Sequence, residues 1–187
     1  MTAFIPSGSL LLAWPGMADP NFAKSVVLVC QHDARGAYGL VLNRSQGQRV
    51  RDLVPAEHLL SAVPQTVYVG GPVDLGRVQY VHALPASVGG GLGVGPDLVL
   101  GGNVERLVAI LAGAPDPTAL PVRFFLGYSG WSAGQLDAEL VSGSWYPVEG
   151  GARRVMSALD PSAWDRFVEE AAVHLGLGSL AEVPCGN

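Results

Sequence analysis

Residues 15–43, PGMADPNFAKSVVLVCQHDARGAYGLVLN, decide how this chain folds. A Pro/Gly/Asp turn leads into residues 25–32, which are apolar on both alternating faces in their middle, the mark of a strand covered on both sides. Asp33-Ala34-Arg35-Gly36 follows, and Gly36 can take the left-handed conformation that ends a four-residue loop. Residues 37–42 then return as the antiparallel partner. A register set by that turn pairs His32 with Ala37, Cys30 with Gly39 and Val26 with Asn43. Side chains two apart on a strand share a face, so this register puts Cys30, His32 and Asn43 on one side of the sheet.

Outward from the hairpin, residues 9–13, 66–69, 78–84, 122–128 and 145–148 read as further strands, with a weak helical turn over 50–60. The GlyGlyPro at 70–72 ends a strand, since proline cannot continue a central ladder. Residues 85–96 contain GGGLGVG and read as a flexible loop. They match neither GxGxxG nor GxxxxGK[ST], the patterns that cradle phosphates. A helix is expected from Asn103 as N-cap to Gly113, a second from the Ser132/Gln135 capping-box spacing to about Gly143, and a third with Asp160 as N-cap and Pro161 at N1. Strands and helices mix without a βαβ repeat, which predicts an α+β fold with a mixed, mostly antiparallel sheet.

The chain has 187 residues, 49% hydrophobic and 14% charged, enough to bury one full core in one domain. That domain spans 1–187, with its core over about 8–177 and a mobile tail beyond. A formal net charge of −5 disfavours direct nucleic-acid binding, which relies on a basic stripe. The nearest basic grouping is Arg44, Arg49 and Arg51, read as solvated surface. Cys30 in a strand and Cys185 near the end make a poor disulfide framework and suit a reducing cytosol. No apolar stretch approaches the roughly 20 residues needed to cross a bilayer, and no positive segment introduces the first apolar run. The expected setting is cytoplasmic, without a membrane partner.

Candidate chemistry is sparse. Cys30 and His32 resemble half of a cysteine-nucleophile site, yet side chains at i and i+2 lie roughly 6–7 Å apart along a strand, and Asn43 is too far along to orient the imidazole. GYSGW at 127–131 has the context of a nucleophile elbow without the G-x-S-x-G spacing. The four histidines show no metal-binding spacing, so neither metal nor other cofactor is assigned. Gln135 and Glu139 share a helix face at i, i+4.

Three blocks, residues 15–43, VGGPV at 69–73 and FLGYSGWSAGQLDAELVSGSW at 125–145, together resemble the YqgE/AlgH family of bacterial proteins. The matching positions include Pro15, Asp19, Phe22, Ser25, Cys30, His32, Gly36, Gly39, Asn43, Gly70, Gly71, Pro72, Gly127, Trp131, Gln135, Leu136, Glu139 and Trp145. Arg44-Ser45 departs from the family's frequent Lys-Pro. The resemblance implies a single α+β domain whose strands curl into a barrel-like bifurcated sheet with helices outside. It implies no particular reaction, and one branch of the family carries the label of a transcriptional regulator.

The resulting expectation is a binding protein, regulatory through a protein or small-molecule partner and not catalytic, with a ligand site where His32, Asn43, Gly70, Gly71, Trp131 and Gln135 converge. Exposed glycine backbone beside an aromatic and polar side chains is what such a site requires. The alternatives are an enzyme using Cys30 and His32, and a transcriptional regulator contacting nucleic acid.

Overall fold

The computed structural model describes residues 5–84, 86, 88–176 and 178. Its elements are strands β1 (Leu10–Ala13), β2 (Val26–Asp33), β3 (Gly36–Val41), β4 (Ser45–Arg49), β5 (Thr66–Val69), β6 (Val73–His82), β7 (Leu92–Gly93) and β8 (Val99–Leu100), then helix α1 (Val104–Gly113), β9 (Val122–Ser132), α2 (Gln135–Val141), β10 (Trp145–Val148), α3 (Ala152–Ser157) and α4 (Ala163–His174). All ten strands join one sheet, ordered β10-β1-β2-β3-β9-β6-β8-β7, with β4 and β5 branching from β9. The pairings are antiparallel except β5 on β9. The expected α+β fold is present.

The bifurcation occurs at β9. Its first half lies between β5 and β6, with Val67 opposite Phe124 and Tyr80 opposite Phe124, while its second half pairs with β3, Trp131 opposite Ala37. An eleven-residue strand can serve two half-sheets because its ends diverge under the normal sheet twist. Among the described residues the sheet curls without closing, so β10 and β7 are its ends.

Three apolar groups fill the spaces. The inner group includes Leu28, Cys30, Leu40, Phe125 and Val81 from both half-sheets, closed off by Trp164 and Phe167 of α4. A second lies under α1 and contains Phe124, Leu107 and Leu111. The third lies between β1–β3 and α2 and contains Val27, Val29, Trp131, Leu136 and Trp145. Burying one such side chain contributes roughly 1.5–3 kcal/mol, so these groups supply most of the drive to fold.

The glycines at 70 and 71 hold the branch together. A Cβ on Gly70 would lie 2.5 Å from the Gly127 oxygen, and one on Gly71 would lie 2.3 Å from the Tyr128 carbonyl. Only a bare backbone can pass β9 at that distance. The turn they form releases β6 at once: it begins at Val73 and carries an out-of-register segment up to Val78, five residues earlier than expected.

Several other boundaries moved. Asn103 caps α1 as expected, its side chain accepting from the Arg106 N–H at 2.8 Å. Ser132 receives half of a capping box, its N–H donating to Gln135 Oε1 at 3.0 Å, but it is the last residue of β9, and α2 starts only after Gly134 turns left-handed. Asp160 accepts from the Ser162 N–H at 2.9 Å, and the helix follows from Ala163, two residues later than its Pro161 start in the sequence reading. In the glycine-rich region, Leu92–Gly93 pairs with Val99–Leu100 as a miniature hairpin, although residues 85 and 87 lie outside the described residues. The tail beyond 178 does too. β4 is wholly polar and α3 is six residues long, so neither carries a periodic apolar signal.

Candidate functional site

The hairpin register holds at its tip, although Asp33 pairs with Gly36 and closes the expected four-residue loop to the two residues Ala34 and Arg35. It is shifted at its base, where Val27 pairs with Val41 and Val26 falls opposite Leu42, not Asn43. His32 pairs with Ala37 as expected, but Gly39 pairs with Val29, not Cys30, because Cys30 is the extra residue of a β-bulge between Val29 and Gln31. A bulge reverses the facing of everything beyond it. Cys30 therefore joins Leu28 in the inner core, while His32 lies opposite Ala37 on the α2 side. The two residues are on opposite faces of the sheet. Cys30 is 1% exposed, and burial pushes its thiol far above the ordinary range, which removes the thiolate a nucleophile needs.

His32 is buried between the N-terminal segment and α2. Its Nδ1 accepts from the Ile5 N–H at 3.3 Å, which leaves the proton of the neutral ring on Nε2, 3.6 Å from Asp137 Oδ2. Trp131 and Gln135 meet around Glu139. One carboxylate oxygen of Glu139 accepts from both the Trp131 indole at 2.9 Å and the Trp145 indole at 2.7 Å, and the other accepts from the Gln135 amide at 2.9 Å. Phe22 stacks on Trp131 at 6.1 Å and meets Trp145 edge-on at 5.5 Å. The i, i+4 spacing of Gln135 and Glu139 was legible. The two indoles converging on Glu139 from separate strands were not.

Asn43, Gly70 and Gly71 lie elsewhere. Asn43 lies two residues beyond the end of β3 and six residues from Ala37, at most roughly 20 Å of extended chain at about 3.3 Å per residue. Its side chain accepts from the Val26 N–H at 3.0 Å and donates to the Lys24 carbonyl at 2.9 Å, clamping the entry to β2. Gly70 offers its carbonyl to the Val41 N–H at 2.8 Å and the Ser129 hydroxyl at 3.1 Å. The structure thus gathers His32, Trp131 and Gln135 at α2 and sets Asn43, Gly70 and Gly71 into the strand junctions.

A concavity lies on the other side of β10. A cleft of about 990 Å³ runs between that terminal strand and α4, floored by Tyr146, Val148, Phe167 and Ala171. Its arginines are internally matched: Arg154 donates to Glu170 at 2.9 Å with its guanidinium over the Phe167 ring, and Arg166 donates to Asp160 at 3.1 Å. Glu149 and Glu169 add further carboxylates to the rim. Trp145 ties this wall to the Glu139 network through the sheet, since its indole faces α2 while its neighbours Tyr146 and Val148 alternate around Pro147. Pro147 leaves one outward hydrogen-bond position on β10 without a donor, so a segment added to this edge takes its main-chain bonds from the other outward positions.

Among the described residues, no group of three His, Cys, Asp or Glu side chains could hold a metal ion, and no helix is long and apolar enough to cross a membrane. The AlgH-like family model, DUF179, matches residues 10–176. A UPF0301 protein of Chlorobaculum tepidum is 36% identical over 161 residues, covering 86% of this chain and 84% of its own length. A UPF0301 protein of Chlamydia caviae is 32% identical over 182 residues, covering 97% and 94%. The solution structure of the AlgH protein from Pseudomonas aeruginosa aligns with a TM-score of 0.67 at 32% identity, covering 100% of both chains. A crystal structure from Corynebacterium diphtheriae aligns with a TM-score of 0.68 at 26% identity, covering 91% of this chain and 90% of that one. Sequence match and fold agree over the whole β1–α4 core, and the chain belongs to the AlgH-like family.

Proposed function

We propose that this protein is a cytoplasmic, non-catalytic binding protein that acts by taking an extended segment of a partner protein into the cleft beside β10. The observation that carries this reading is a cleft of about 990 Å³ whose wall is the terminal strand of a ten-stranded sheet. An unpaired strand edge beside an apolar groove suits β-strand addition, in which main-chain bonds supply affinity and alternate side chains supply selectivity. With Arg154 and Arg166 already matched, Glu149 and Glu169 favour a segment carrying apolar side chains and a basic residue. The burial of Cys30 and its separation from His32 support binding over thiol catalysis. The formal charge of −5 supports a protein partner over nucleic acid.

Within this reading, Trp131, Gln135 and Glu139 are positioning residues that hold β10 through Trp145. The test is selection from a random peptide display library on the full chain, followed by titration of the enriched peptide. Enrichment of extended apolar-basic peptides whose affinity falls at least tenfold in Val148→Lys supports the proposal. No enrichment, or peptides that bind Val148→Lys equally well, would overturn it.

A further inference from the structure

The arginines at the cleft are matched by carboxylates, and Arg35 is matched by Asp33 at 3.1 Å. Arg49 and Arg123 are not: among the described residues, neither guanidinium has a carboxylate within 4 Å. The strand register brings them together. Arg49 on β4 pairs with Thr66 on β5, and the parallel pairing of Val67 with Phe124 sets Thr66 beside Arg123 on β9. Two arginines thus flank one threonine across three strands, about 10 Å apart at ~4.8 Å per strand, with Tyr68 two residues further along.

These residues line a cavity of about 300 Å³, together with Gln65 and Thr118. Two buried polar atoms on its lining residues have no partner, Arg123 Nε and Gln65 Oε1. Gln65 is 4% exposed and spends its amide N–H on the Pro117 carbonyl at 2.8 Å, leaving the oxygen free to accept. Arg123 spends one terminal nitrogen on the Leu120 and Val122 carbonyls, at 3.3 and 2.7 Å, which neutralises no charge. Burial lowers the Arg123 pKa and raises that of Tyr68, the signs of a desolvated cation and phenol.

Asp52 accepts from the Arg49 backbone N–H at 3.2 Å and lies 3.8 Å from Arg51 Nε, without an ion pair to the Arg49 guanidinium. The other carboxylates nearby are engaged elsewhere. Asp116 accepts from the Thr118 N–H at 2.9 Å and hydroxyl at 2.6 Å, and Asp160 accepts from Arg166 and Ser162. Asp160 reaches the cavity only as a charge acting on Tyr68. Two like charges in one cross-strand row repel, and a desolvated guanidinium without a counter-ion is costly.

We propose that this cavity is an anion site for a small phosphate monoester bearing a hydroxyl group. Its phosphate bridges Arg49 and Arg123, whose planar forks suit oxyanions, with the Thr66 and Tyr68 hydroxyls as further donors. The ligand's own hydroxyl donates to Gln65 Oε1. A volume at the lower end of ligand pockets, roughly 300–1,000 Å³, fits a small metabolite.

The test is calorimetric titration of the full chain with inorganic phosphate and with glycerol phosphate, against chloride at matched ionic strength, with melting temperature read in parallel. Phosphate raises the melting temperature where chloride does not, and glycerol phosphate binds roughly fivefold tighter through the additional hydrogen bond. Arg49→Met, at an exposed position outside every apolar core, and Arg123→Met each weaken both ligands at least tenfold. Gln65→Met erases the difference between them. Equal responses to phosphate and chloride, or affinities unchanged in Arg49→Met, would overturn the proposal.

Discussion

The cleft beside β10 and the cavity beside β5 each contain two arginines and treat them in opposite ways. At the cleft, Arg154 and Arg166 find Glu170 and Asp160, so its arginines are matched before any partner arrives and the charge left to a partner is that of Glu149 and Glu169. At the cavity, Arg49 and Arg123 share a row without a carboxylate, and the site remains electrostatically open. Recognition at the first should depend mainly on shape and strand pairing, with rim carboxylates for one basic residue, and at the second on charge. Added salt should therefore weaken the cavity's ligand more than the cleft's, because matched pairs leave less field to screen.

The largest expected effect is at the node that supports the cleft. Glu139→Ala strips the acceptor from two nearly buried indoles, and at about 1–3 kcal/mol for each orphaned donor the loss should be roughly 3 kcal/mol. Urea unfolding measures it. Peptide affinity for the remaining folded protein should fall as β10 loosens. A loss below about 1 kcal/mol would show that Trp131 and Trp145 are held by packing alone.

Next is the direct contrast between arginines. In phosphate-free buffer, Arg154→Met should destabilise by about 0.5–1 kcal/mol, losing an exposed ion pair and the contact over Phe167. Arg123→Met should be neutral or stabilising, since it deletes a desolvated charge without a counter-ion. Equal destabilisation by both would erase the distinction between the two sites.

A smaller effect is the pH response of the half-sheet that carries the cavity. His82 is 2% exposed, its Nδ1 accepts from the Leu84 N–H at 3.2 Å and its Nε2 faces the Gly101 carbonyl at 3.2 Å, so the neutral ring fits both partners. Burial lowers its pKa below that of the unfolded chain, so the unfolded state binds more protons as acidity increases. Its contribution is present above the unfolded value near 6.5 and is lost as pH falls through the lower folded value. Stability measured from pH 7.5 down to 5.5 should decline, and His82→Gln should flatten that decline.

The smallest effect concerns the thiol. In a Cys185→Ser background, Cys30 should resist iodoacetamide in the native state and react fully after unfolding, with Cys30→Ala leaving peptide and phosphate affinities unchanged. Rapid native alkylation would reopen thiol chemistry.

Much of the framework was legible in residue order. The pairing of His32 with Ala37 at the hairpin tip, the Asn103 cap and the i, i+4 pairing of Gln135 with Glu139 depend on contacts within a few positions, and local patterns reported them correctly. The facing of Cys30 was not legible, because a bulge adds one residue without any compositional mark and turns over everything beyond it. Arg49 was visible only as a member of a basic surface grouping. Its alignment with Arg123 comes from two strand pairings between segments far apart in the chain. The same holds for the convergence of Trp131 and Trp145 on Glu139.

By itself, the sequence determined the fold class, the central hairpin and the family, since these follow from hydrophobic periodicity, turn chemistry and motif order. Tertiary structure alone decided which arginines lack a carboxylate, which strand is left at the edge and which face each hairpin residue meets. Charge compensation and edge exposure are properties of neighbours across strands, and strand register is settled by packing between segments that no local pattern connects.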